Sequence, residues 1–181
     1  LPSLVGGSVK VFAAEATGPI KSKLHPRIST SAKWLWIVYL VLTTACILSY
    51  KVCGMGWFDA FNYSMTTTAT GGFATESGSI MTFHSPAEEY VCALFCFLSG
   101  VNFTLLYASV IGMDIKKLFK NSEFRLYTIM VLSFAIFITF ELVWRNHYDI
   151  EHAFRSAIFQ VVSFITTTGL VSDDAGKWPH V

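Results

Sequence analysis

The sequence predicts an all-α membrane protein built from repeated units, each a membrane span, a short re-entrant helix with an extended loop, and a second span. Three observations predict it. Of 181 residues, 53% are hydrophobic and only 14% charged, with a mean hydropathy of +0.52, whereas soluble domains carry about 25% charge. Three apolar runs are long enough to cross roughly 30 Å of hydrocarbon at about 1.5 Å per residue. A threonine-glycine device occurs twice, about 97 residues apart.

Composition also excludes several classes. A net charge of +1 argues against a nucleic-acid binder, which concentrates a large basic excess to neutralise phosphates. The apolar content excludes disorder. Cys46, Cys53, Cys92 and Cys96 lie in or beside apolar runs and read as small buried hydrophobes. The first residue is Leu1 without a secretory signal pattern, and the last follows Trp178-Pro179. The expectation is an internal fragment holding the end of one unit, one whole unit and the first half of another.

Residues 1–30 read as a cytoplasmic linker, with a short helix near Val9 to Ala16 and then Gly18-Pro19, Pro26 and the cations Lys21, Lys23 and Arg27. Residues 31–113 form the complete unit. Its first span is 34–53, with Trp34, Trp36 and Tyr39 where an aromatic belt belongs. A short helix at 57–68 and a loop at 69–75 follow. The second span, 90–113, comes after Ser85, Pro86 and Glu88, an expected N-cap, first-turn proline and capping-box acid. Residues 114–125 are a basic cytoplasmic loop. Residues 126–181 start the next unit, with a span at 126–144 introduced by the capping candidates Asn121, Ser122 and Glu123, a short helix at 152–165 and a loop at 166–171.

Lysine and arginine set the orientation, because their excess stays on the cytoplasmic side. Lys10, Lys21, Lys23, Arg27 and Lys33 precede the first span, and Lys116, Lys117, Lys120 and Arg125 lie between the second and third. Residues 54–89 contain no Lys or Arg. Both short apolar helices therefore sit on the outer side, and each is too short to cross, as in a re-entrant segment. Asp59 stands at the start of one, Asp149 and Glu151 at the start of the other, suiting the positive end of a helix dipole.

Each short helix then runs into the repeated device, Thr66-Thr67-Thr68-Ala69-Thr70-Gly71-Gly72-Phe73 and Thr166-Thr167-Thr168-Gly169-Leu170. Irregular backbone at membrane depth must line a cavity or be buried in protein. A monovalent cation stripped of its water needs replacement oxygens, which consecutive carbonyls and threonine hydroxyls supply. Glycine permits the positive φ that such a ladder of carbonyls needs. The helix C-termini add partial negative charge near the midplane.

Further segments carry a family resemblance: Gly18-Pro19-Ile20-Lys21, Pro26-Arg27-Ile28, Phe58-Asp59-Ala60, Thr70-Gly71-Gly72-Phe73-Ala74-Thr75, Ser99-Gly100-Val101-Asn102-Phe103, Glu123-Phe124-Arg125 and Phe159-Gln160-Val161-Val162-Ser163. In these the chain resembles the Trk/Ktr/HKT superfamily of potassium transporters over essentially its whole length. The resemblance implies a potassium-channel-like pore of four nonidentical repeats, of which this chain is a fragment, with one filter glycine per repeat. Gly72 and Gly169 take that place, so the resemblance implies that the carbonyls of Thr70, Gly71 and Gly72 in the first loop and of Thr167, Thr168 and Gly169 in the second bind the ion. Leu170 departs from the pattern, since the family usually has an aromatic after the glycine. The resemblance also implies potassium as the transported ion, a bacterial inner membrane, a homodimer and a TrkA-like cytoplasmic nucleotide-binding regulatory subunit.

Other constellations read more plainly. His147, Asp149, Glu151 and His152 match no metal-binding spacing, so no transition-metal site is expected. Ser99 beside Gly100 lacks a histidine in any span, so intramembrane hydrolysis is not expected and the chain reads as no enzyme. Glu141, near Trp144 and Arg145, reads as a headgroup-level acid. Glu76, Asp173 and Asp174 are possible outer-mouth acids. Asn102 reads as a hydrogen-bonding group within the second span. The rival reading is a structural or assembly-type helix bundle whose Thr-Gly loops only turn the chain.

Overall fold

A computed structural model describes residues 28–111, 115–173 and 178. The expected linker 1–30 lies outside these apart from its last three residues, as does Asp174. The described residues are helical, with no strand among them.

The first long helix, α1, runs Ile28–Val52, and a short helix, α2, spans Trp57–Thr68. Between them Lys51 donates from Nζ to the Met55 carbonyl at 3.2 Å and lies 5.1 Å above the Trp57 ring. A cation at the last turn offsets the negative end of the α1 dipole and fixes the corner. The two helices then pack along each other through hydroxyls. Tyr50 Oη lies 3.1 Å from Thr67 Oγ1, and Thr43 Oγ1 lies 3.1 Å from Thr68 Oγ1.

A one-turn 3-10 helix, Ser79–Phe83, leads to α3, Pro86–Ser99. Pro86 opens α3 as the proline position requires, yet the Ser85 side chain makes no cap bond. Glu88 is buried with Oε2 unpartnered, so it does not reach back to complete the expected capping box. A larger departure follows. The expected continuous span 90–113 is broken: α3 stops at Ser99 and α4 resumes over Phe103–Ile111.

Three groups hold the break open. Asn102 Oδ1 accepts from the Thr104 amide at 3.0 Å, an Asx bond that starts a helix anew. Tyr127 Oη donates to the Phe97 carbonyl at 3.2 Å, occupying an acceptor at the end of α3. Gly100 sits where a Cβ would meet Tyr127 Oη at 2.6 Å and the Thr166 methyl at 2.7 Å, so a side chain there would have to displace both. The chain nonetheless continues to the level of the α1 N-terminal end, because Tyr107 of α4 packs on Trp34 near the start of α1, with ring centroids 5.3 Å apart.

The basic loop contains a short helix, α5, Ile115–Lys120, not foreseen from composition. Asn121 then caps α6, Ser122–Asn146, accepting from the amides of Glu123 at 2.8 Å and Phe124 at 3.3 Å. Of the three capping candidates, Asn121 does the work. His147 ends α6 in a left-handed conformation. The last helix, α7, spans Ile150–Ile165 and lies against α6 and α3. Two helices, over Ala32–Val52 and Ser122–Arg145, are long and apolar enough to cross a membrane. Their exposed Leu40, Val41, Ile129, Ile136 and Phe140 form outward faces that suit acyl chains.

Arg155, a lone cation within the second short apolar helix, is the polar fastener between the units. It is buried, with Nε donating to Glu89 Oε2 at 2.9 Å and Nη1 to both Glu151 oxygens at 2.8 and 3.0 Å. Tyr90 Oη adds a bond to Glu151 Oε1 at 3.2 Å. Helix α7 of one unit is thereby tied to α3 of the preceding one. Glu141, by contrast, pairs locally with Arg145 at 2.8 Å.

Removing one member of a buried pair strands the other, at a cost of about 3–5 kcal/mol. Arg155→Met in the full-length protein is therefore expected to lower thermal stability in detergent sharply. The joint change with Glu89→Leu should recover most of the loss, as read by heat-challenge size-exclusion chromatography.

Candidate functional site: two facing Thr-Gly loops

Both loops leave their helices by the same hydrogen-bond path. In the first, the amides of Ala69, Thr70 and Gly71 donate to the carbonyls of Met65, Thr67 and Thr66 at 2.9, 3.4 and 2.8 Å. In the second, the amides of Thr166, Thr167 and Thr168 donate to Val162, Phe164 and Ser163 at 2.9, 3.0 and 2.8 Å. Every donor and acceptor has its counterpart at the spacing of the sequence repeat.

Backbone angles repeat as well. Thr70 has φ 52° and Gly72 φ 71°; Thr167 has φ 59° and Gly169 φ 78°. Two left-handed residues separated by one ordinary residue turn the strand in the same way each time. Glycine accepts this conformation freely, but a β-branched threonine does so only under strain of about 1–3 kcal/mol, the kind of outlier that gathers at functional sites. The sequence pointed to the glycines as positive-φ positions and gave no signal for the threonines.

One hydroxyl under each loop anchors it. Thr66 Oγ1 accepts from the Phe73 amide at 2.7 Å, while Ser163 Oγ donates to the Leu170 carbonyl at 2.8 Å. These residues are equivalent in the repeat, and each reaches the position after the glycine. Beyond that point the loops differ. Thr75 Oγ1 donates to Asp59 Oδ1 at 2.7 Å, so Asp59 holds the exit of the first loop as well as lying near a helix N-terminus. The second exit is clasped by the outer loop of the preceding unit: the Val171 amide donates to Ser79 Oγ at 3.2 Å and the Met81 amide to the Val171 carbonyl at 3.4 Å.

The two loops meet. A Cβ placed on Gly72 would collide with the Thr168 carbonyl oxygen and lie 3.7 Å from the Gly169 carbonyl carbon. At Gly169 the same construction meets nothing within 4 Å. Thr168 turns its side chain away to a buried contact with Thr166 Oγ1 at 2.8 Å, leaving its carbonyl toward the first loop. Beneath the junction lies a cavity of about 470 Å³, lined by Thr68, Thr70, Asn102, Glu123, Thr166 and Thr167 among others. Helices α2 and α7 both end at it, since their C-caps Ala69 and Thr166 are in its wall.

All six candidate carbonyl residues thus belong to one locus. Glu76 is exposed, and Asp173 accepts from Trp178 Nε1 at 3.3 Å through Oδ2 and from Gln160 Nε2 at 3.3 Å through its carbonyl. His147, Asp149, Glu151 and His152 serve local structure: a left-handed cap, the N-cap position of α7, the Arg155 pair and a ring contact with Tyr148 at 5.1 Å.

The whole chain, residues 1–181, matches the family model described as TrkH, cation transport protein. The chain belongs to the TrkH family. Among TrkH-family relatives, the Trk system potassium uptake protein TrkH of Salmonella typhimurium is 38% identical over 181 residues, covering 99% of this chain. The TrkG protein of Escherichia coli K12 is 36% identical over 180 residues. The chain spans 38% and 37% of the lengths of these two relatives. The crystal structure of the potassium transporter TrkH from Vibrio parahaemolyticus superposes with a TM-score of 0.83 at 32% identity, over 98% of this chain and 38% of that one. The TrkH fold therefore holds for this stretch.

The close approach at Gly72 makes a prediction. Gly72→Ala must push the Thr168 carbonyl aside, in addition to taking on left-handed strain of about 1–2 kcal/mol. In the full-length protein this substitution is expected to lower the unfolding temperature by more than that strain alone would, as measured by differential scanning fluorimetry.

Proposed function

We propose that this chain forms part of a potassium-uptake pore in a bacterial inner membrane, with the carbonyls of Thr70, Gly71, Gly72, Thr167, Thr168 and Gly169 contributing to its selectivity filter. The observation that carries the reading is the junction of the two loops, where the Gly72 backbone lies against the Thr168 carbonyl above a shared cavity. A carbonyl ladder replaces the hydration shell of a potassium ion without adding a fixed charge, so the ion enters and still leaves. The negative ends of α2 and α7 at the cavity favour a cation just beneath the ladder. The open space beside Gly169 suits equivalent loops from other repeats.

Potassium enters from the outer side, loses water against the loops and passes inward. Conduction of this kind makes and breaks no covalent bond, so the chain acts as a transporter segment and not as an enzyme. Potassium is its cargo. The names of the relatives as potassium uptake proteins support that cargo. In the same reading the full-length protein is multi-pass and homodimeric, works with a TrkA-like cytoplasmic nucleotide-binding subunit, and uses Glu76, Asp173 and Asp174 to gather cations at the outer mouth.

Replacing Gly72 or Gly169 by serine in the full-length protein tests the reading. Potassium uptake in a potassium-uptake-deficient host should become inhibited by sodium at concentrations the parent tolerates, while the protein still inserts at normal levels. A helix bundle with purely structural Thr-Gly turns would show no ion phenotype in either variant.

A further inference from the structure

The cavity beneath the loops has one charged residue among the described residues of its wall, Glu123. Its neighbours there are hydroxyls, an amide and apolar groups, with Thr68, Thr70, Thr166 and Thr167 at the loop end and Asn102 at the helix break. Glu123 also lines a second cavity of about 130 Å³, together with Gly100, Asn102 and Tyr127. Glu123 therefore stands beside the break in the α3–α4 span, in the wall of the cavity that the loop residues also line.

Beyond its place in the first turn of α6, where an acid suits the helix dipole, this charge has no local partner among the described residues. The start of α6 is capped by Asn121, whose Oδ1 takes the Glu123 and Phe124 amides. Among the described residues the Glu123 side chain has neither a hydrogen bond nor an ion pair, in contrast to Glu89, Glu141 and Glu151, which are all paired with arginine. A half-buried carboxylate with no partner among the described residues, in the wall of a cavity of mixed hydroxyl and apolar lining, sets up a negative potential focused by low-dielectric walls.

We propose that Glu123 is a conduction-determining residue of the inner chamber, where its carboxylate concentrates a hydrated monovalent cation between the filter and the cytoplasm. The cavity is far larger than the volume of about 30 Å³ that one water occupies, so the ion keeps its water and the contact is electrostatic and not coordinating. The helix break makes this possible: an unbroken α3–α4 would place a full turn of side chains where Gly100, Val101 and Asn102 leave space. The inference rests on the pore reading above and adds to it a charge that sets throughput without setting selectivity.

The test is potassium flux through the full-length protein in proteoliposomes, comparing wild type, Glu123→Gln and Glu123→Asp at low ionic strength and with N-methyl-D-glucamine chloride added to both faces. At low ionic strength Glu123→Gln should lower flux about three- to tenfold, and the deficit should shrink to less than about twofold near 0.5 M salt, because screening removes what the charge contributed. Glu123→Asp should retain most of the flux, and the potassium-to-sodium ratio should stay at the wild-type value in both variants. Equal flux in wild type and Glu123→Gln, a deficit that does not change with salt, or one that tracks a loss of thermal stability would overturn the assignment. Salt-insensitive loss would mark Glu123 as a purely structural first-turn acid. Wild-type protein without potassium flux would remove the pore reading itself, an outcome distinct from a silent Glu123 in a conducting protein.

Discussion

Two stretches of non-helical backbone at membrane depth can persist only if their peptide groups find partners other than lipid. Here a single hydroxyl beneath each loop meets the sharpest part of that demand. Thr66 receives an amide and Ser163 supplies a proton to a carbonyl, at equivalent places in the repeat. The opposite polarity of the two bonds shows how a repeat diverges chemically while keeping its shape. A hydroxyl can both give and accept, so the same position satisfies whichever peptide group the exit of its loop leaves exposed. The rest of the arrangement follows from these anchors: repeated left-handed turns, carbonyls brought face to face, and two helix ends aimed at one cavity.

Much of this was legible from the residue order. The short helix Trp57–Thr68 and the loops after it announce themselves through an apolar run too brief to cross, followed by threonine and glycine, and finding the device twice removes most of the ambiguity of a single polar turn. Long-range polar pairing was not legible. Arg155 looks like an outward-side cation until the fold brings Glu89 of another unit within 2.9 Å. The interruption at Gly100–Asn102 was hidden for a related reason. Its flanks are mostly apolar, so hydropathy reads straight across it, and only the surroundings of Gly100, where Tyr127 and Thr166 come close, show what the break accommodates. An Asn-Phe-Thr start signal was present, but an isolated asparagine in an apolar run also suits an interhelical hydrogen bond.

Leu170 illustrates how a departure from a family pattern is absorbed. It is buried, whereas Phe73 at the equivalent position is 81% exposed. The aromatic of the first loop therefore does not pack behind its own loop within this stretch of chain, while the smaller aliphatic does. Support for the second exit comes instead from the neighbouring outer loop, where Ser79 and Met81 bind both polar groups of Val171. The two loops are consequently linked at two levels, by close backbone approach at the glycines and by peptide pairing further out.

The Arg155 fastener has a consequence for biogenesis. A guanidinium is costly in hydrocarbon when alone, and its main buried partner, Glu89, leaves the ribosome 66 residues earlier. Glu89 precedes Arg155 in the order of translation, so a counterion for the guanidinium exists before the later helix docks. Charge neutralisation at this one site then joins the second unit to the first.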